Sequence, residues 1–321
     1  MQIQATPHSI KLITPFVISR GAQTYCNVVR VSIRYDQWQV QGECTPYARY
    51  GESVESVIEQ IKHWSRDLET LNPFNAKQLL QSMPAGAARN AVDCALWQLI
   101  AQMEGSHFPA PYFDISPTIE TAMTVSIGDV ESMAKQARDY AEQGATLLKV
   151  KLDAEQVIEK VAAVRQAAPK CKIILDANEA WSELDLDELF TMLTQYDIAM
   201  IEQPLPSNND ARLADVTHPI PLCADESCHT AEHLSELIGR YEMINIKLDK
   251  TGGLTEALEL ESRARTLGFS VMVGCMLGSS LAMKAALPIA TRAEIVDLDG
   301  PVLLGQDVAN GLTYLNGTLR L

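Results

Sequence analysis

From residue 122 onward the chain repeats one pattern, a short apolar run followed by a stretch with helical spacing. The runs are AMTVSI, TLLKVKL, KIILDAN, IAMIEQP, IPLCADES, MINIKLDK, SVMVGCML and AEIVDLDG. Stretches such as VESMAKQARDYAEQG and EQVIEKVAAVRQAAP separate nearly all of them. The starts lie roughly 20 to 27 residues apart, the pitch of a repeated βα unit. Eight parallel strands in about 180 residues suit a closed barrel better than a doubly wound sheet. No GxGxxG follows the first strand and no GxxxxGK[ST] is present, so dinucleotide and P-loop readings find no support. Gly252-Gly253 in KTGG reads as a tight loop after the sixth strand.

The first hundred residues differ. NVVRVSIRYDQWQVQGEC alternates about an Asp-Gln turn, and SVESVIEQIKHW has helical spacing. PAGAARNAVDCALWQLIAQM is almost continuously apolar, which marks a helix buried between parts of the protein. HFPAPYFDISP is the candidate boundary. The expected organisation is an α+β capping domain over 1–115 and a (β/α)7β TIM-like barrel over 116–300, with 301–321 returning to complete the cap.

The 321 residues carry a net charge of -15. That disfavours nucleic acid or an anionic membrane as partner, because both recruit basic surface. No run approaches a membrane span, and the start lacks the basic and apolar regions of a signal peptide. The seven cysteines are scattered without a CxxC pair and read as reduced thiols of a cytoplasmic protein. A homo-oligomer is compatible with the apolar helices, but no residue counts subunits.

Barrel active sites form at the C-terminal strand ends, and here those ends are polar in succession. The second strand carries Lys149 and Lys151, the third Asp176, the fourth Glu202, the fifth Asp225, the sixth Lys247, and the eighth Asp297 and Asp299. Alternation puts Lys149 and Lys151 on one face. It also turns Glu226 away from Asp225, so Asp225 is the chosen carboxylate. Strands two and six are opposite in an eight-stranded ring, so Lys151 and Lys247 face each other across the mouth. Asp176, Glu202 and Asp225 fill the arc between them, and an all-oxygen set suits Mg2+. A cation between opposed lysines fits racemisation or epimerisation, in which one lysine removes an α-proton and the other returns one to the opposite face. A lysine base must fall from about 10.4 towards roughly 7 to 8; Lys149 and the cation would depress Lys151.

Taken singly, each residue has an ordinary reading. Asp176 and Asp225 could cap helices, Asp299-Gly300 is a common turn, and Cys275 reads first as a small core residue. Lys149 and Lys151 could also form a Schiff-base site, which leaves three carboxylates without a task. A binding protein with a vestigial site is a third reading.

KVKLD, LDANEAW, IEQP, ADES and NIKLDKTGG together resemble the enolase superfamily, in the subgroup of muconate lactonizing enzyme. Lysine bases working with Mg2+ are the known pattern of that superfamily. The resemblance covers essentially the whole chain and implies the cap-plus-barrel fold. Within the subgroup, DLDG is similar to the Asp-x-Asp element of dipeptide epimerases, which receives a substrate α-ammonium; GECTPYARYGES, PAGAARNAVDCALW and GCMLG point the same way. The resemblance implies two-base 1,1-proton transfer through an enediolate, interconverting L-Ala-L-Glu and L-Ala-D-Glu in murein peptide recycling. It assigns Lys151 and Lys247 as catalytic and Asp176, Glu202 and Asp225 as metal ligands. Thr124, Lys149, Cys275, Asp297 and Asp299 become substrate contacts, and Arg20 the partner of the glutamate side chain, with Arg49 as rival. The alternative on the same scaffold is a cycloisomerase or o-succinylbenzoate synthase-type lyase.

Overall fold

The computed structural model describes residues 1–321. The chain opens with an antiparallel sheet of β1 (Gln2–Ile18), β2 (Gly21–Tyr35) and β3 (Trp38–Cys44), ordered β1-β2-β3. Asp36 takes the left-handed conformation in the β2–β3 turn (φ 49), where an aspartate is tolerated. Helix α1 (Val54–Leu68) starts on a Ser53–Ser56 capping box and buries Val57, Ile61, Trp64 and Leu68, a single stripe at helical spacing. Helix α2 (Pro73–Leu80), not singled out in the sequence, starts with Asn72 as cap and Pro73 at its first position.

Helix α3 (Ala87–Met103) is buried on nearly every side, as its composition led us to expect. Its alanines let β3 approach closely. A Cβ added at Gly42 would stand 2.0 Å from the backbone oxygen of Ala91. Gly42→Ala is therefore expected to destabilise the protein by about 1–3 kcal/mol, the usual cost of overpacking, read as a lower urea midpoint at unchanged slope.

The second half is the barrel. Its strands are β5 (Met123–Val125), β6 (Leu147–Lys151), β7 (Lys172–Asp176), β8 (Ile198–Glu202), β9 (Leu222–Ala224), β10 (Met243–Ile246), β11 (Ser270–Val273) and β12 (Ile295–Val296). They pair in parallel in chain order. Ala122 N donates to Val296 O at 2.8 Å and Leu298 N to Thr121 Oγ1 at 2.9 Å, which joins the first strand to the eighth. Helices α4 (Val130–Glu142), α5 (Val157–Ala167), α6 (Leu186–Leu193), α7 (Leu234–Leu237), α9 (Leu254–Thr266) and α10 (Ser280–Ala290) fill six of the seven connections, and a short turn, α8 (Leu248–Thr251), precedes α9. Between β8 and β9 there is only a 3-10 turn, Ala211–Asp215. The expected (β/α)7β barrel with an α+β cap is the observed architecture. No helix is long and apolar enough to cross a membrane.

One apolar tier closes the barrel floor: Ala122, Leu147, Ile174, Met200, Cys223, Met243, Met272 and Ile295, one residue from each strand or its flank. Two residues further along each strand lies the next inward tier. The last residues divide. Gly305 N donates to Lys11 O of the cap sheet, whereas β13 (Thr313–Leu315) and β14 (Thr318–Arg320) pair with β4 (Thr118–Glu120).

Candidate active site

Counting two residues up from the apolar floor gives Thr124, Lys149, Asp176, Glu202, Asp225, Asn245, Gly274 and Asp297. This tier is polar because it faces the mouth, where a ligand rather than a side chain can complete the packing. Lys151, Lys247 and Asp299 stand one step higher. A cavity of about 500 Å3 opens above them, lined by Thr124, Lys149, Lys151, Lys247, Cys275, Asp297 and Asp299, and roofed by the β1–β2 hairpin, the segment Thr45–Ala48 and Tyr50.

The charges are tightly paired. Lys149 is 1% exposed, and its Nζ lies 3.1 Å from Asp176 Oδ2, 2.7 Å from Glu202 Oε2 and 2.9 Å from Asp297 Oδ2. Lys151 Nζ donates to Asp176 Oδ2 at 2.6 Å and to Asn178 Oδ1 at 3.2 Å. At the end of the opposite strand Lys247 Nζ donates to Asp225 Oδ2 at 2.5 Å. Burial alone would lower Lys247, but Asp225 and then Glu202 outweigh it, and the ammonium lies well above the ordinary lysine range. A base needs a depressed pKa, and Lys247 is moved in the opposite direction. The reason is the carboxylates themselves, which hold the proton on the lysine until another cation shares their charge.

The donor set fits such a cation. As placed, the carboxylates do not close into a metal shell, because each is turned towards an ammonium. Yet Glu202 Oε2 and Asp225 Oδ1 are buried and accept no aligned hydrogen bond. Asn245 Nδ2 donates to Glu202 Oε1 at 2.7 Å, leaving Oε2 beside the Lys149 ammonium at 2.7 Å. Burial, then Asp176, raises the Glu202 carboxyl, whereas Asp225 is held well below the usual range: burial opposes ionisation there but Lys247 and Lys250 prevail. Three hard oxygen donors around one arc, repelling each other in a buried place, suit a divalent cation such as Mg2+.

Just past the eighth strand, Asp299 Oδ2 accepts from Thr124 N at 2.8 Å, and burial together with Asp297 pushes its carboxyl up to about 7. Asp297 Oδ1 has no partner. Cys275 sits on the cavity wall with its thiol raised well above the usual range, by burial and then by Asp297; a thiolate nucleophile is not formed there.

Arg20 also lines the cavity, fixed by Glu226 Oε1 at 2.8 Å and by Tyr47 Oη. Arg49 does not line it; it forms a two-pronged pair with Glu179, both contacts at 2.9 Å. One expectation is corrected here. Glu226 was placed on the far side from Asp225 by strand alternation, but it borders the same cavity. Strand β9 ends at Ala224, so alternation no longer governs residue 226. Asn178, Asn245 and Lys250 were also missed. Asn245 could have been found, since it shares a strand face with Lys247; Lys250 has the look of an ordinary surface lysine.

An eight-stranded parallel barrel that gathers lysines and carboxylates at its mouth, under a cap built from the N-terminal α+β region, is the architecture of the enolase-type enzymes. The chain belongs to the enolase C-terminal domain-like family, whose model matches residues 132–321. It is 48% identical over 310 residues to the L-Ala-D/L-Glu epimerase of Escherichia coli strain K12, covering 96% of both chains. It is 45% identical over 277 residues to an N-acetyl-D-glutamate racemase of Pseudoalteromonas sp, covering 86% of this chain and 87% of that one. Among solved structures, the dipeptide epimerase of Enterococcus faecalis V583, complexed with Mg and L-Leu-L-Tyr, superposes with a TM-score of 0.91 at 29% identity, covering 100% of this chain and 96% of that one.

Proposed function

We propose that this chain is an isomerase, a Mg2+-dependent epimerase that interconverts L-Ala-L-Glu and L-Ala-D-Glu by two-base proton transfer at the glutamate α-carbon. The observation that carries the reading is the placement of Lys151 and Lys247 at the ends of opposed strands of one tiered mouth, with an acidic pair just past the eighth strand. Asp176, Glu202 and Asp225 would hold the ion. When bound, Mg2+ supplies positive charge for the negative charge that develops on the substrate carboxylate as the α-proton leaves. Lys151 and Lys247 exchange protons with the two faces of that carbon. Lys149 stays an ammonium and fixes Asp297, whose free Oδ1, with Asp299 behind it, receives the alanine ammonium. Arg20 is the group at the hairpin end for the glutamate side chain. The cap over 1–115 closes this end and the barrel over 116–300 carries the chemistry.

The test is incubation with L-Ala-L-Glu and Mg2+ in D2O, following the glutamate α-proton by NMR. Loss of the signal with appearance of the L-Ala-D-Glu diastereomer is expected; no exchange with either diastereomer overturns the reading.

The 45% identity to the N-acetyl-D-glutamate racemase motivates a second reading, in which the same lysines act on an acylated glutamate. The acidic pair separates the two, because an N-acetyl group offers it no cation. L-Ala-L-Glu is expected to exceed N-acetyl-L-Glu in kcat/KM. Asp297→Asn should lower kcat/KM for the dipeptide by about 10- to 100-fold, the scale of a lost charge-assisted hydrogen bond, and affect the acetylated substrate less. Equal losses would favour the racemase reading. A lyase on an amine-free substrate likewise leaves Asp297 and Asp299 unused.

All seven cysteines are free, six of them buried. This fits a reducing compartment, and we place the enzyme in the cytoplasm, in the turnover of cell-wall peptides.

A further inference from the structure

The polar face of α3 has no part in the reaction as described, yet it is directed at the loop that follows Lys247. Lys247 is the residue before α8. Asp249, two residues later, is buried, and its Oδ1 accepts from Asn90 Nδ2 at 2.9 Å and from Thr45 N at 3.0 Å. Both donors belong to the cap. Arg89 reaches the same turn, donating from Nη2 to Thr251 O at 2.6 Å and from Nε to Gly252 O at 3.1 Å. Asp93 accepts from Thr255 N and Oγ1 at 2.9 and 2.7 Å.

The glycine pair makes the approach possible. Both residues have positive φ, and a Cβ at Gly252 would stand 2.4 Å from Arg89 Nε, one at Gly253 2.5 Å from Asp93 Cβ. From the barrel side, Lys250 Nζ donates to Cys228 O and Asn245 O, both at 2.8 Å. The turn carrying Lys247 is therefore held between barrel and cap. Lys151, the last residue of β6, ends a strand with barrel neighbours on both sides and has no comparable tie to α3.

We infer that Asp249 is a positioning residue: with Asn90 and Thr45 it transmits the seating of α3 and the Thr45 segment to Lys247 and not to Lys151. This part of the cap thereby serves one of the two bases selectively; the β1–β2 hairpin reaches the Lys151 side separately, Ser19 Oγ and Arg20 Nη1 donating to Asn178 O at 3.1 and 2.9 Å. This rests on the two-base reading above.

The asymmetry gives the test. Solvent exchange of the α-proton is measured separately from each diastereomer of Ala-Glu in D2O. The one that depends on Lys247 is identified as the one whose exchange is lost in Lys247→Ala. Asp249→Ala is expected to slow that exchange by about 10²-fold, the scale of a 1 Å misplacement, while the Lys151-dependent exchange changes less than about threefold. Asp249→Asn, which keeps an acceptor for Thr45 N and Asn90, should recover most of the loss. Equal slowing of both exchanges, or of neither, overturns the inference. If Asp249→Ala does not fold, Asn90→Ala, which removes one donor, should show the same asymmetry at smaller size, and a symmetric effect there counts against the proposal.

Amide hydrogen exchange separates this inference from the reaction itself. Faster exchange in Asp249→Ala or Asn90→Ala confined to residues 247–255, with β6 unchanged, supports the clamp even if wild type turns over neither diastereomer. Unchanged protection there overturns it.

Discussion

Lys247→Ala is expected to abolish epimerisation in both directions while leaving solvent exchange of the α-proton in only one diastereomer. Epimerisation needs a base on each face of the carbon, so loss of either lysine stops the overall reaction. Exchange needs only the base on the face where the proton sits, so the remaining lysine still washes deuterium into its own diastereomer. Lys151→Ala should give the mirror result. The expected loss in epimerisation is about 10²- to 10⁴-fold or more, the range for a positioned general acid or base. Purified variants, both diastereomers and one-dimensional NMR suffice. Retained epimerisation in either variant would sink the two-base mechanism. Loss of exchange from both diastereomers in a folded variant would instead mean that the lysines act as a unit.

Glu202→Gln should lose activity by about 10²- to 10⁴-fold, since cation stabilisation of the developing charge is worth several kcal/mol and each 1.4 kcal/mol is tenfold. Chelation of the wild type should do the same, with recovery on adding Mg2+. Stability should move differently. Burial and the neighbouring Asp176 raise the Glu202 carboxyl. A group whose folded pKa is raised carries a penalty in its ionised form at neutral pH. The neutral amide removes that penalty, so without Mg2+ the variant's Tm is expected to equal or exceed that of the wild type. Millimolar Mg2+ should raise the Tm of wild type, because a ligand of the native state stabilises it, and should raise the variant's less. A variant that melts lower without Mg2+ would show that Glu202 is needed for folding, and its inactivity would then say nothing about the ion.

The barrel strands were legible because their signal is local. Most are short apolar runs with a polar residue at or just past the end, and period-2 alternation placed Lys149 with Lys151 on a shared face. The reach of that rule is also where it failed. It was carried past the end of β9 to Glu226, where the backbone had left strand geometry. The fourth connection, a 3-10 turn of five residues, and the short α2 carry too few periodic positions to stand out.

By itself, the sequence determined the fold class, the ring order of the polar strand ends and hence the facing of Lys151 and Lys247, since pitch and alternation are properties of the chain taken in order. Only the tertiary structure decided which charges pair. Lys149 among Asp176, Glu202 and Asp297 depends on closure of the barrel ring, whereas Arg20 on Glu226 over a separation of 206 residues and Asp249 on Asn90 over 159 residues depend on how the cap is seated on the barrel. The physical reason is range. Hydrophobic periodicity is written over neighbouring residues, whereas the strength of an ion pair depends on distance and burial, which exist only once distant segments have come together.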